Sequence, residues 1–346
     1  MKLYNYPIKS SFSDYDDAIQ QYLNIIKDHN ELVSVYQIGS VAVPGISDID
    51  LIIILDDNKV CKNNFSIYQI DSKYHKLLLH DVFIIPESLS KETFFTTSIF
   101  DRKLLFGEII NFNFPILQSD RINDLLLKLN DLVIFSLKSE YSEFKKHRGL
   151  DVRFVIARIN SIKYPYILLQ ELYLLILERK LEVKSIENII RDISSFRESF
   201  FTLSKDQVHE KIIFYLDYIT SEFVPMFIQI FEDIHPFKET YPSKVKFRLS
   251  FLNYIFIDEY YAFHLIRFSE NKGKISSHIK RNLVKNNNII YSDDLRVFID
   301  RKISILNSIL EFRISNNISY GSIWTYNSEK KTSFKDAIII IIKKII

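Results

Sequence analysis

Hydrophobic alternation and helical periodicity divide this 346-residue chain into a strand-rich first third and a helix-rich remainder. Residues 14–28 place Ala18, Ile19, Tyr22, Leu23, Ile25 and Ile26 at the spacing of one helix face, with Ser13 as N-cap. Residues 32–38 then predict a short strand. After a turn over 39–47, a second strand runs through 48–55 and ends at Asp56-Asp57-Asn58, read as strand-end turn residues. A third strand is expected over 77–85, stopped by Pro86, with Asp81 in apolar surroundings, and 104–115 add a further strand or strand edge.

Beyond Ser119 the period lengthens. Leu125, Leu126, Leu129, Leu132, Val133 and Leu137 predict a helix over 120–148 that Gly149 stops, and further helices are expected at 151–162, 166–180, 204–233 and 292–314. Residues 244–251 alternate polar positions with Val245, Phe247, Leu249 and Phe251, so a small sheet is expected within the helical half, and 318–326 suggest another extended piece. The expected class is α+β. A small mixed sheet with flanking helices occupies 1–118, and a mainly α-helical domain follows over 119–346, with no flexible linker between them.

Composition narrows the function classes. The longest apolar runs, at 51–55 and 337–342, fall far short of the roughly 20 residues of a membrane span, and the N-terminus lacks the pattern of a signal peptide. A cytoplasmic protein with no membrane span is therefore expected. The run near the C-terminus is continuous rather than one-sided, which points to a buried terminal element instead of a membrane-surface helix. The only cysteine, Cys61, excludes an internal disulfide and a cysteine-based zinc cluster, and the eight histidines show no metal-binding spacing. With 45 basic against 43 acidic residues, the chain has no global field to hold extended nucleic acid, so any basic site is local.

Candidate chemistry is concentrated in 36–51. Only six glycines are present, and two of them, Gly39 and Gly45, fall here. Tyr36-Gln37-Ile38-Gly39-Ser40 is followed, after seven residues, by Asp48-Ile49-Asp50-Leu51. Strand alternation puts Asp48 and Asp50 on one face. Two like charges that close call for a cation, and hard oxygen ligands suit Mg²⁺, with Mn²⁺ as a substitute, completed by substrate phosphates. A small-residue turn after a strand aims backbone N–H groups at phosphate oxygens. Phosphoryl or nucleotidyl transfer is the chemistry this pattern predicts.

The order helix, strand, Gly39-Ser40 turn, Asp48-Ile49-Asp50-Leu51 strand, then Asp81 in His80-Asp81-Val82, resembles the nucleotidyltransferase superfamily typified by DNA polymerase beta. The likeness covers the first third of the chain. It is strongest to the minimal and aminoglycoside nucleotidyltransferases, which also add a helical C-terminal domain. The resemblance implies that Asp48 and Asp50 hold Mg²⁺ and that Gly39 and Ser40 contact the triphosphate. Asp81 would complete the metal site and help deprotonate the attacking hydroxyl. It further implies an enzyme that moves a nucleoside monophosphate from a nucleoside triphosphate to a hydroxyl acceptor (a small molecule, a protein or an RNA end) with release of pyrophosphate. The seven-residue connection from Val41 to Ser47 is shorter than is usual in the family, and Pro44-Gly45 stands in for most of its helix.

Two other classes share features of the pattern. Metal-dependent glycosyltransferases bind a sugar nucleotide with Asp-x-Asp, but there the apolar strand precedes the motif. An inactive relative serving as a binding or toxin-antitoxin module keeps the fold without the acids, whereas Asp48, Asp50 and Asp81 are all present here. His80 is expected to face away from Asp81 as a packed histidine. Lys145-Lys146-His147-Arg148, followed by Arg153 and Arg158, is the densest basic region near the acids, although cations at a helix C-terminus are favourable through the dipole alone. Within it, Lys146 and Arg148 are the candidates to meet phosphate. The aromatic residues Tyr164, Tyr166, Tyr254, Tyr260, Tyr261 and Trp324 follow helical spacing and read as core or cleft walls.

Overall fold

The computed structural model describes residues 2–95, 102–110, 149–223, 244–249, 252–258 and 311–318, with helical positions scattered over 121–129, 225–230 and 304–309. The chain runs through β1 (Lys2–Tyr4), α1 (Phe12–Ile26), β2 (Leu32–Ile38), β3 (Asp50–Leu55), β4 (Phe83–Pro86), β5 (Arg102–Gly107) and β6 (Gly149–Asp151). It continues through α2 (Val152–Asn160), α3 (Lys163–Leu177), α4 (Lys184–Ser199), α5 (Lys205–Tyr218) and the hairpin β7 (Lys244–Leu249) and β8 (Leu252–Asp258). The class is mixed α+β, as expected.

A four-stranded sheet in the order β4-β3-β2-β5 forms the first layer. β2 is antiparallel to both β3 and β5, pairing Ile38 with Asp50 on one side and with Arg102 on the other, while β3 runs parallel to β4 from Ile52 opposite Phe83. Leu51, Ile53 and Leu55 face α1, where Ala18, Ile19, Tyr22 and Ile26 form the helix stripe. Ile52 and Ile54 face the other way, among Tyr36, Ile38, Phe83 and Ile85. Cover on both faces is why β3 reads as an unbroken apolar run. α1 starts two residues earlier than expected. Its N-cap is Ser11, whose Oγ accepts from the Asp14 N–H while Asp14 returns a bond to the Ser11 N–H.

Helices α2 to α5 build a second core. Val155, Ile156, Leu168, Leu169, Ile193, Phe196, Ile212 and Tyr215 meet in it, and Asp151 and Ser204 cap the starts of α2 and α5. α4 was not anticipated, and 205–218 passes into a π-helical turn at Ile219–Phe223. The strand expected at 244–251 is present as β7, paired antiparallel with β8. The residues around 118 lie outside the described residues. So does most of 120–148, where Arg121 makes a two-point contact with Glu171 at 2.6 Å each. Of 318–326, only Ile318 is described. The two cores meet, because β1 pairs with β6 and Ile46, from the turn between β2 and β3, is buried in the helical core. Among the described residues no helix is long and apolar enough to cross a membrane.

One buried carboxylate organises the loop after β3. Glu31 accepts from the Lys62 N–H at 3.2 Å, the Asn63 N–H at 3.1 Å and the Asn63 side chain at 2.8 Å, and is only 1% exposed. Burial pushes its carboxyl up, but hydrogen bonds to the ionised form outweigh that and leave it below its ordinary value of 4.5. Glu31→Ala is expected to cost about 1.5–3 kcal/mol in urea unfolding at pH 7. A depressed carboxylate contributes stability above its unfolded pKa and loses it as pH falls through the folded one. The gap between wild type and variant is therefore expected to close below about pH 4.5. A gap constant down to pH 3 would count against this role.

Candidate metal centre

Ser47 fixes the chain just ahead of the first carboxylate. Its Oγ accepts from the Val43 N–H at 3.1 Å and from Arg197 Nη2 at 3.2 Å, its N–H donates to the Val43 carbonyl at 2.9 Å, and its carbonyl accepts from the Tyr15 hydroxyl. The same hydroxyl accepts from the Gly45 N–H at 3.0 Å. Gly45 has φ +85°, and a Cβ there would lie 2.4 Å from the Ile8 carbonyl and 2.8 Å from the Phe201 ring. Only glycine lets this turn pass between the N-terminal segment and the helices.

From Ser47 the chain passes Asp48 and enters β3 at Asp50, and the two carboxylates come together at the head of the strand. The third member comes from the loop before β4. His80 Nε2 lies 2.6 Å from Asp50 Oδ1, and ligand atoms of Asp48, Asp50 and His80 all fall within 4.8 Å of one another. His80 Nδ1 is 2.8 Å from the Asp81 carbonyl, which can only accept, so Nδ1 carries the hydrogen. The neutral tautomer then turns its Nε2 lone pair toward the carboxylates. Metal-ligating histidines are oriented in this way, with the other ring nitrogen donating to a carbonyl. Asp50 Oδ1 is buried with the His80 Nε2 as its close neighbour, an ion-pair contact when the imidazole is protonated. Two carboxylates beside an imidazole nitrogen are a donor set that fits a divalent cation once the imidazole gives up its Nε2 proton. The side chains of His80 and Asp50 keep 26% and 29% exposure, which leaves the cluster open to solvent ions.

Electrostatics point the same way. Burial, reinforced by Asp50, pushes the Asp48 carboxyl up to about 6, against the pull of His80 and Arg153. Burial draws the His80 imidazole down, but the two carboxylates overcome it and raise it to about 9. With no other cation, the pair is held together by an imidazolium.

The expected residues are distributed unevenly. Asp48 and Asp50 come together as expected. Asp81 was expected to complete the group, but its carboxylate accepts from Ser66 Oγ at 2.7 Å and from the Ile67 and Val82 N–H groups at 2.8 Å each. It caps the short helical turn Ile67–Gln69. The physical reason is the late start of β4 at Phe83: residues 80–82 precede the ladder, so strand alternation does not govern them, and His80 turns inward instead of packing as a core residue. Gly39, at φ +69°, and Ser40 are exposed at the same end of the sheet as Asp50. They line a cavity of about 240 Å³ with Tyr15, Gln37 and Lys103, and its walls do not include Asp48, Asp50 or His80. Lys146 and Arg148 lie outside the described residues. Asp56 and Asp57 are turn residues, accepting from the N–H groups of Asn58 and Ser88.

Sequence reasoning missed His80 as a partner of the acids and Arg197 altogether. A signal for Arg197 exists: it falls on the stripe of α4 that Ile186, Ile189, Ile193 and Phe196 bury. No comparable signal marks His80. No protein-family model matches this chain, and neither does any curated protein or solved structure.

Tyr15→Phe removes the hydroxyl that bridges the Gly45 N–H and the Ser47 carbonyl in a buried setting. The expected loss is about 1–3 kcal/mol in chemical denaturation. A change below a few tenths would show that the bridge does not hold the turn.

Proposed function

We propose that this chain is a divalent-metal-dependent nucleotidyltransferase, which moves a nucleoside monophosphate from a nucleoside triphosphate to a hydroxyl acceptor and releases pyrophosphate. The observation that carries the proposal is the convergence of Asp48, Asp50 and His80 at the start of β3, beside the Gly39-Ser40 turn that the Ile38–Asp50 pairing brings to the same end of the sheet. The antiparallel β2–β3 pair, with β4 running parallel to the Asp-x-Asp strand, is in keeping with the polymerase-beta-like fold. The helices after β6 then correspond to its C-terminal domain.

Asp48, Asp50 and Nε2 of His80 would hold the cation. A bound Mg²⁺ or Mn²⁺ supplies charge neutralisation at the phosphates and makes the attacking hydroxyl more acidic. Because one donor is an imidazole nitrogen, the set favours Mn²⁺ more than three carboxylates would. With the Asp81 carboxylate engaged by Ser66, Ile67 and Val82, the role of accepting the proton of the acceptor hydroxyl falls to Asp48 or Asp50. The near-neutral net charge favours a compact acceptor over long RNA.

One observation favours a second reading, an inactive binding module of the same fold. The imidazolium of His80 already neutralises part of the acid pair without a metal.

Incubation of the full chain with Mn²⁺ or Mg²⁺ and each nucleoside triphosphate is expected to release pyrophosphate. Asp50→Asn should lower that rate on the order of a hundredfold or more. Thermal stability with and without Mn²⁺ separates the two readings, since a cation that binds only the native state raises the melting temperature. A melting temperature insensitive to Mn²⁺, together with no pyrophosphate release from any triphosphate, would sink the enzyme and leave the binding module.

A further inference from the structure

His80 reaches the acids from a stretch that carries neither helix nor strand. Leu78 to Val82 lie between the helical turn Ser72–Leu77 and β4, which begins at Phe83. Fixing the backbone of such residues costs about 1–2 kcal/mol each, so a histidine presented from them needs other support. The arm is pinned at both ends. At its start the Leu77 carbonyl accepts at 3.0 Å from the N–H of Ile49, the residue between the two acids, and the Leu78 carbonyl accepts from Arg153 Nη2 at 3.1 Å. At its end stands Asp81. Its Oδ1 accepts from the Ile67 and Val82 N–H groups at 2.8 Å each, and its Oδ2 from Ser66 Oγ at 2.7 Å.

This carboxylate does more than cap a turn. The turn Ile67–Gln69 has its own N-cap in Ser66, whose Oγ accepts from the Tyr68 N–H at 3.3 Å. What Asp81 fixes is the peptide that joins it to Val82. A trans peptide is planar, and its N–H and carbonyl point in opposite directions. Holding the Val82 N–H on Oδ1 therefore turns the Asp81 carbonyl the other way, where it meets His80 Nδ1 at 2.8 Å. The His80 ring also rests against Phe83, with ring centroids 4.9 Å apart. With Nδ1 engaged in this way, Nε2 faces Asp50 Oδ1 at 2.6 Å.

We propose that Asp81 is a positioning residue of the metal centre: by fixing the peptide between Asp81 and Val82 it aims His80, so that Nε2 meets Asp48 and Asp50 as a ready third donor. This role rests on the metal-binding half of the nucleotidyltransferase reading and not on its transfer step. The carboxylate expected as a ligand thus acts through its neighbour in the chain. A backbone carbonyl behind a ligating imidazole is the usual means of setting its tautomer and direction. The two roles ask different things of the side chain. A ligand to a hard cation owes much of its affinity to negative charge, whereas this clamp needs hydrogen-bond acceptors for two N–H groups. An asparagine Oδ1 can accept from both, and its amide can donate to Ser66 Oγ, which has lone pairs to receive it.

The test uses the full chain and Mn²⁺ alone. Affinity is read from the paramagnetic resonance signal of the free ion, and imidazole ligation from nitrogen coupling in pulsed spectra of the bound one. Wild type is expected to bind Mn²⁺ with a nitrogen coupling that His80→Ala abolishes. Asp81→Asn should bind within about threefold of wild type and keep the coupling, whereas Asp81→Ala should bind roughly 10–100-fold more weakly and lose it. Should Asp81→Ala fail to fold by circular dichroism, Ser66→Ala decides in its place, with binding expected to weaken roughly threefold. Asp81→Asn as damaging as Asp50→Asn makes Asp81 a ligand and overturns the positioning role. So does a bound ion without nitrogen coupling in wild type, or binding that neither Asp81→Ala nor Ser66→Ala alters. No Mn²⁺ binding by wild type removes the metal centre and this role with it. The expected pattern in a protein that releases no pyrophosphate keeps the role and sinks only nucleotidyl transfer.

Discussion

Two carboxylates at strand spacing cannot be held at one point without positive charge beside them, and much of this protein is arranged around that constraint. With their ligand atoms within 4.8 Å, repulsion between two unit charges is on the order of 3 kcal/mol or more at an effective dielectric of about 20. Asp48 and Asp50 have no freedom to relieve it. Asp50 is locked by the ladder opposite Ile38, and Asp48 follows directly on Ser47, whose N–H, carbonyl and Oγ each hold a partner. Relief has to come from cations brought in by other elements. His80 arrives from the loop before β4, Arg153 from α2 and Arg197 from α4.

This arrangement binds the two cores into one unit at the point where chemistry is expected. Ser47 belongs to the sheet by sequence, yet Arg197 reaches it from the helical core, Ile46 is buried there, and Gly45 passes so close to Phe201 that a side chain would collide. Tyr15 closes the same turn from α1. Asp48 is thus placed by a helix packed on the sheet, by a left-handed glycine and by a buried cation at once. A site supported from several elements keeps its geometry better than one carried on a free loop.

The legible part of the fold is the part where one physical rule acts alone. The stripe of α1 and the alternation of β2 and β3 follow from burial on fixed faces, and they place Asp50 in the ladder, while Asp48, two residues ahead of it, is set by the turn at Ser47. Asp81 shows where such a rule ends. Alternation carries a side chain to a face only while the residue is in the ladder, and the ladder with β3 begins at Phe83. Two residues earlier the backbone is free to turn, and three hydrogen-bond donors at Ser66, Ile67 and Val82 claim the Asp81 carboxylate. His80 then faces the acids by a local backbone choice that no periodicity encodes. α4 escaped notice for a different reason. Its stripe of Ile186, Ile189, Ile193 and Phe196 is regular, but the strongly polar opposite face lowers the mean hydropathy of the segment and masks it.

Exchanging a third carboxylate for an imidazole changes more than one ligand. Three carboxylates around a divalent cation leave a net negative cluster, which repels a polyphosphate until further cations arrive. Two carboxylates and a neutral imidazole leave that cluster balanced. Each additional arginine or lysine nearby then counts in full as attraction for an anion. Arg153 and Arg197, which act on Asp48, would add to that balance. In the proposed enzyme the imidazole at the sheet and the cations on the helices would serve one electrostatic balance, and the misfit of Arg197 on its own helix is the local cost of a buried charge beside Ser47 and Asp48.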